Sequence, residues 1–196
     1  MFEVSAMNLS PEDKGILVKL ARKTIREILD GKSSDDMDID EGSLPDTLKV
    51  DKGLFVTISK GHDLRGCIGY VLPLIPLWKA TVENARNAAF RDSRFPPLHE
   101  DEYNDISIEI SVLNEPEKIF NINEICVGIH GIILKKGSYC SVILPQVPSE
   151  QGWNTLETLR YLCEKAGLEP DGWKKADSLE IFRTEVFNES DLVPAG

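Results

Sequence analysis

Along the first thirty positions apolar residues recur with the period of a helix. Ile16, Leu17, Leu20, Ala21, Ile25, Ile28 and Leu29 fall on one stripe, and Gly31 stops the run. Ser10 is a capping residue, Pro11 suits the first helical position, and Glu12 and Asp13 complement the helix dipole. A second helical pattern covers about residues 77–90, with Leu77, Trp78, Val82, Ala85, Ala88 and Ala89 as its apolar positions. Its alanines predict close packing against a sheet. A third helix is predicted over about 155–166, with Leu156, Leu159, Leu162 and Cys163 as its stripe and Gly167 as its stop.

Between the helices the pattern shortens to strands. Residues 54–59, a turn at Lys60-Gly61-His62-Asp63 and a run over 64–71 predict a β-hairpin. Residues 106–112 alternate cleanly, which predicts a strand with one buried face, closed by Glu115-Pro116-Glu117. Residues 127–134, a turn at Lys135-Lys136-Gly137-Ser138 and residues 139–144 predict a second hairpin, and a last strand follows over about 179–187. Residues 92–105 form a long loop that holds Arg94, Pro96, Pro97 and His99, and loops of that length are often functional.

Hairpin, helix and strand thus occur twice, at an offset of about seventy-five residues, with Gly61 falling with Gly137, Cys67 near Cys140 and Leu72-Pro73 with Leu144-Pro145. We read this as a diverged internal duplication, against the alternative that such elements recur by chance. The expected fold class is α+β: a two-layer, antiparallel-rich sheet with helices on one face. One compact domain over 1–196 is expected, with a larger and a smaller lobe of about 1–117 and 118–196 and a binding cleft between them.

Charge narrows the function classes. The 196 residues carry a net charge of −11, with a pI near 4.8. Nucleic-acid binders cluster Lys and Arg, and the pairs Lys135-Lys136 and Lys174-Lys175 are too short to do so, so no nucleic-acid partner is expected. An anionic membrane would repel the chain, and no apolar run reaches spanning length. Residues 1–10 lack the pattern of a signal peptide, and Cys67, Cys126, Cys140 and Cys163 form no C-x-x-C pair, which predicts reduced thiols in the cytoplasm. Residues 33–42 hold five carboxylates without EF-hand spacing, which predicts a solvated loop rather than a calcium site. No metal or cofactor is expected. Phosphate-loop, dinucleotide and serine-hydrolase motifs are absent.

The most unusual stretch is Leu64-Arg65-Gly66-Cys67-Ile68-Gly69. On a strand it carries a glycine on each face, which calls for a bulge or the close approach of a backbone or a ligand. Arg65 and Cys67 fall two residues apart on one face. This hexapeptide resembles the signature of the AMMECR1 family letter for letter. Similar segments follow in order: Arg94-Phe95-Pro96-Pro97-Leu98, Glu109-Ile110-Ser111-Val112-Leu113, His130-Gly131, Leu144-Pro145-Gln146-Val147, Lys165-Ala166-Gly167 and Trp173. Ser93 stands where that family often has proline. The resemblance spans about residues 54–189 and implies a fold and a site without naming a reaction.

The candidate chemistry centres on Cys67 as nucleophile or redox-sensitive thiol, with Arg65 supplying positive charge. Leu64, Gly66, Ile68, Gly69, Arg94 and His130 are the candidate ligand-binding residues, Arg65 and Arg94 forming an anion site. Each has a plainer reading. Cys67 is a small buried residue, Arg65 pairs with Glu109 or another carboxylate, and His130 packs in a core. Two functions follow: a small-ligand or catalytic cleft at the motif, or a protein–protein interaction module or adaptor that uses the same surface.

Overall fold

In the computed structural model residues 9–32 and 39–192 are described. Helix α1 (Pro11–Leu29) begins where its sequence predicts. The Ser10 hydroxyl accepts the Asp13 N–H at 3.1 Å and the Asp13 carboxylate accepts the Ser10 N–H at 3.1 Å, a reciprocal cap. Of the acidic stretch, residues 33–38 lie outside the described residues. Beyond them Asp40 accepts the Gly42 N–H at the start of a short 3-10 turn.

Strands β1 (Leu54–Lys60) and β2 (Asp63–Tyr70) form the first hairpin, with Gly61 at φ 62° in its turn. Helix α2 (Leu77–Phe90) follows, then β3 (Ile106–Leu113), which pairs antiparallel with the other side of β1. Leu54, Val56 and Ile58 of β1 and Ile106, Ile108, Ile110 and Val112 of β3 join Leu17 and Ile25 of α1 and Leu77, Ala85 and Ala88 of α2 in one buried core. Both helices therefore cover one face of this sheet. The motif lies on β2, at the sheet's edge.

The second unit repeats the order. Strand β4 (Glu117–Ile119) precedes β5 (Gly131–Lys136) and β6 (Tyr139–Ile143), an antiparallel hairpin with Gly137 at φ 57° in its turn. A short helix α3 (Gln146–Glu150), helix α4 (Thr155–Lys165) and strand β7 (Ser178–Phe182) complete it. Ile132, Leu134 and Ile143 pack with Leu159, Leu162 and Cys163 of α4. Strand β8 (Thr184–Asn188) then returns to the first sheet. The strand orders are β2-β1-β3-β8 and β4-β7-β5-β6, so the strand after β3 pairs with β7 and the strand after β7 pairs with β3.

The fold is α+β, as expected, and its strands form two four-stranded sheets. One unit holds the described residues up to Leu113 and those from Glu185 on, and the other is Asn114–Thr184. The strand expected over 179–187 is two strands. The chain leaves one sheet at Phe182 and enters the other at Thr184, with Arg183 between. Cys67 and Cys140 do not match in register. Cys140 pairs with Lys135, next to its turn, whereas Cys67 pairs with Thr57. Counting from each turn glycine and allowing for one extra residue in β2, Val142 holds the place of Cys67. Among the described residues no helix is long and apolar enough to cross a membrane.

Candidate functional site

The two glycines of the motif are explained by packing. A Cβ on Gly66 would stand 2.1 Å from the Ala88 carbonyl oxygen of α2, so only glycine lets the helix lie this close to the strand. A Cβ on Gly69 would meet the Phe55 ring at 2.3 Å and the Leu54 carbonyl oxygen at 2.4 Å. Ile68 packs against the core, and Leu64 is exposed.

Arg65 is the extra residue of a bulge. Ile58 pairs with Gly66 and Ser59 with Leu64, which leaves Arg65 unpaired in the ladder. Its guanidinium grips Glu102 through Nε at 3.0 Å and Nη2 at 2.9 Å, and donates to the carbonyls of Pro96 at 2.9 Å and Pro97 at 3.3 Å. The pair is largely buried, with 11% and 16% of the two side chains exposed. That bond is the main reason the Glu102 carboxyl is held at about 2, and Glu102 also accepts the His99 N–H at 3.1 Å. Arg65 thus fastens the 92–105 loop to the edge strand.

Arg94 is the arginine brought to Cys67. The Asp92 carboxylate, 4% exposed, accepts the Cys67 main-chain N–H at 2.9 Å. It also accepts Arg94 Nε at 2.9 Å and Nη2 at 2.7 Å, and Nη2 donates to the Cys67 carbonyl at 3.2 Å. Asp92 and Arg94 therefore occupy both outward main-chain groups of Cys67 and close the sheet edge there. The Arg94 bonds hold the Asp92 carboxyl far below the usual carboxylate range. The Arg94 pKa is raised, mainly by Asp92 and in lesser part by the Cys67 sulfur. Arg94 lies over the Phe95 ring at 5.4 Å, and its side chain is 54% exposed.

The Cys67 side chain is partly buried and points away from α1 and α2. Thr57 stands opposite it on β1, with Oγ1 3.3 Å from Sγ, and Glu109 stands opposite Thr57 on β3. Burial raises the Glu109 carboxyl above its ordinary pKa, and Asp191 adds to the effect. Thr57, Asp92 and Glu109 escaped the sequence reading as site residues. Only strand register and the path of the loop after α2 bring them to Cys67. The one signal available was Glu109, three residues into an alternating strand, an acidic residue on a half-buried sheet face.

His130 belongs to the second unit. It is buried just before β5, and its Nδ1 accepts the Cys126 N–H at 3.2 Å. Burial lowers its pKa, and Arg183 lowers it further. Two cavities, of about 330 and 480 Å3, are lined by Lys118, Phe120 and Trp173 with their neighbours and by Pro11, Ile16 and Lys19 with theirs, and not by motif residues. All four cysteines are free.

Comparison with known proteins agrees with the family resemblance. The AMMECR1 family matches residues 18–187. Protein MK0488 of Methanopyrus kandleri is 41% identical over 193 residues, covering 93% of this chain and 91% of its own. Protein NEQ441 of Nanoarchaeum equitans is 39% identical over 181 residues, covering 88% and 98%. The crystal structure of the uncharacterized protein PH0010 from Pyrococcus horikoshii superposes with a TM-score of 0.78 at 39% identity, over 88% of this chain and 89% of that one. The chain belongs to the AMMECR1 family.

Proposed function

We propose that the face around Cys67 is a small-ligand or catalytic site, with Cys67 as its nucleophile and Arg94 as the cation beside it. The observation that carries this reading is the Asp92–Arg94 clamp, which fixes a guanidinium at the main chain of a partly exposed thiol. Arg65 supports the site by holding the loop that delivers Asp92 and Arg94. Such a thiol needs a reducing compartment, in keeping with a cytoplasmic location. The test is alkylation of the folded protein with iodoacetamide, resolved by mass spectrometry. Cys67 should react faster than the more exposed Cys126 and Cys140. Cys163, buried and with its thiol pushed up by burial, should stay unmodified. A Cys67 slower than both exposed thiols would end the reading.

A second reading, an adaptor surface, is favoured by the exposed Leu64, Leu72 and Leu74 that flank the motif. Against it, the clamp blocks strand addition at Cys67. Leu72→Glu with Leu74→Glu should leave Cys67 alkylation unchanged if the thiol is the working group.

We also infer that the two units descend from a duplication. The orders β2-β1-β3 and β6-β5-β7 agree, each hairpin turns on a glycine of positive φ, and Glu109 and Glu180 hold the same register. Gly66 and Ser141 also correspond: one abuts the Ala88 carbonyl of α2, the other donates to the Leu162 carbonyl of α4 at 2.8 Å. Superposing residues 54–113 on 127–187 with Gly61 on Gly137 tests it, and a mismatch of helix direction would overturn it.

A further inference from the structure

The second sheet ends on β4, a three-residue strand paired on one side only, with β7. Two other sheet edges are closed by side chains. Asp92 and Arg94 occupy the main chain of Cys67 on β2, and the Lys165 ammonium donates to the Val142 carbonyl on β6 at 2.8 Å. Among the described residues no side chain closes the main chain of Glu117, Lys118 or Ile119 in this way. The nearest such bonds fall just after the strand, where a Glu124 oxygen accepts the Phe120 N–H at 3.2 Å and the Asn121 N–H at 2.9 Å. The Phe120 residue there is 91% exposed, more than any other large apolar one among the described residues.

The same edge borders the cleft of about 330 Å3. Ile119, Leu179 and Trp173 give it an apolar wall continuous with the second core, and Lys118 and Lys174 line it as well. Lys118 Nζ donates to the Asp177 carbonyl, a neutral partner, at 3.2 Å and lies 5.9 Å from the centre of the Phe120 ring. Lys174 meets Asp171 at 3.2 Å, but both side chains are more than half exposed, so water weakens the pair. The Asp177 carboxylate is turned to the Gly137 N–H at 2.6 Å. On a chain of net charge −11, two ammonium groups thus stand at an apolar cleft where an anion can reach them.

We propose that β4 and the cleft beside it bind an extended peptide segment of alternating acidic and apolar residues, which adds to the sheet as an outer strand. Side chains alternate between the two faces of a strand. Ile119 is buried in the core, so Lys118 faces the other side. An added strand therefore sets its apolar side chains towards Ile119 and the cleft and its carboxylates towards Lys118. Main-chain bonds supply an attraction common to any strand, and the alternation supplies the choice. A lysine on an edge strand ordinarily guards against chance pairing. Here the guard selects, because it repels basic segments and receives acidic ones. The Glu124 bonds fix the main chain at Phe120, so its ring meets an apolar side chain of the segment with little ordering left to do. This site lies in the second unit and does not depend on the reading of Cys67.

The test uses the full chain and two acetylated, amidated hexapeptides, one of alternating glutamate and leucine and one of alternating lysine and leucine. Titrations are read by calorimetry and by the amide NMR signals of isotope-labelled protein, at about 0.15 M salt to screen the net charge of the chain. The glutamate peptide should bind one to one with a Kd of roughly 0.1 mM, as suits a small interface. The signals that shift should be those of residues 117–120 and 173–179. Phe120→Ala should weaken binding about tenfold and leave the melting curve in place, since its ring is exposed. Lys118→Glu should reverse the preference, so that the lysine peptide binds better than the glutamate one. A glutamate peptide that does not bind, that shifts signals elsewhere, or that binds wild type no better than the lysine peptide overturns the proposal. So does a wild-type dimer that Phe120→Ala turns into a monomer, because a second copy then occupies this edge.

Discussion

Asp92 accepts the main-chain N–H of Cys67 at 2.9 Å while it binds Arg94 through two nitrogens. One buried carboxylate thus sets where the cation stands relative to the thiol. The preorganisation lies in that carboxylate, since Arg94 alone would be a mobile surface side chain.

Arg94→Gln should slow Cys67 alkylation about three- to tenfold, because the positive charge that favours thiolate is gone. Arg94→Lys should slow it less, since it keeps the charge and loses the planar fork. Stability should fall by about 1–3 kcal/mol with Gln, as the Asp92 carboxylate loses its main partner. Mass-spectrometric rates together with urea titrations separate the two effects.

Arg65→Ala should act on stability. It leaves Glu102 buried without its partner and frees two carbonyls of the 92–105 loop, a loss of about 3 kcal/mol in denaturant unfolding. Arg65→Lys should recover little, because one ammonium cannot satisfy a carboxylate and two carbonyls in this planar arrangement.

The same pair sets an acid limb. Glu102 is held at about 2 against an ordinary 4.5, chiefly by the Arg65 bond. A depressed carboxyl contributes stability that is complete above its unfolded pKa and is lost as pH falls through its folded one. The contribution is therefore full above about 4.5 and gone below about 2. Glu102→Gln should lower stability at neutral pH and flatten its pH dependence across that window, read from urea midpoints.

Gly66→Ala should destabilise by about 2–3 kcal/mol, because α2 must move off the sheet. Gly15→Ala, inside α1 with nothing within 4 Å of the new methyl, should stabilise by about 0.5–1 kcal/mol. Thermal melts of the two variants should shift in opposite directions.

His130 should titrate below 6.5 in an NMR pH series, because burial and Arg183 both disfavour its charged form. A midpoint at or above 6.5 would contradict its buried placement.

What the sequence determined is local. The cap at Ser10, the bounds of α2, the alternation of β3 and the two turn glycines were legible because each rests on residues within one turn or one hairpin. The stretch from Leu64 to Gly69 was legible as a pattern of letters, and its two glycines did signal a close approach of backbone. Tertiary structure decided what approaches: the Ala88 carbonyl at Gly66 and the Phe55 ring at Gly69. It also decided which arginine meets the thiol. Arg65 and Cys67 stand two apart in sequence, but the bulge turns Arg65 to Glu102, and a loop twenty-seven residues on brings Arg94 instead. The break at Arg183 was hidden for the same physical reason. An apolar run reads alike whether its halves pair in one sheet or in two, and only the hydrogen-bond partners, chosen at long range, tell them apart.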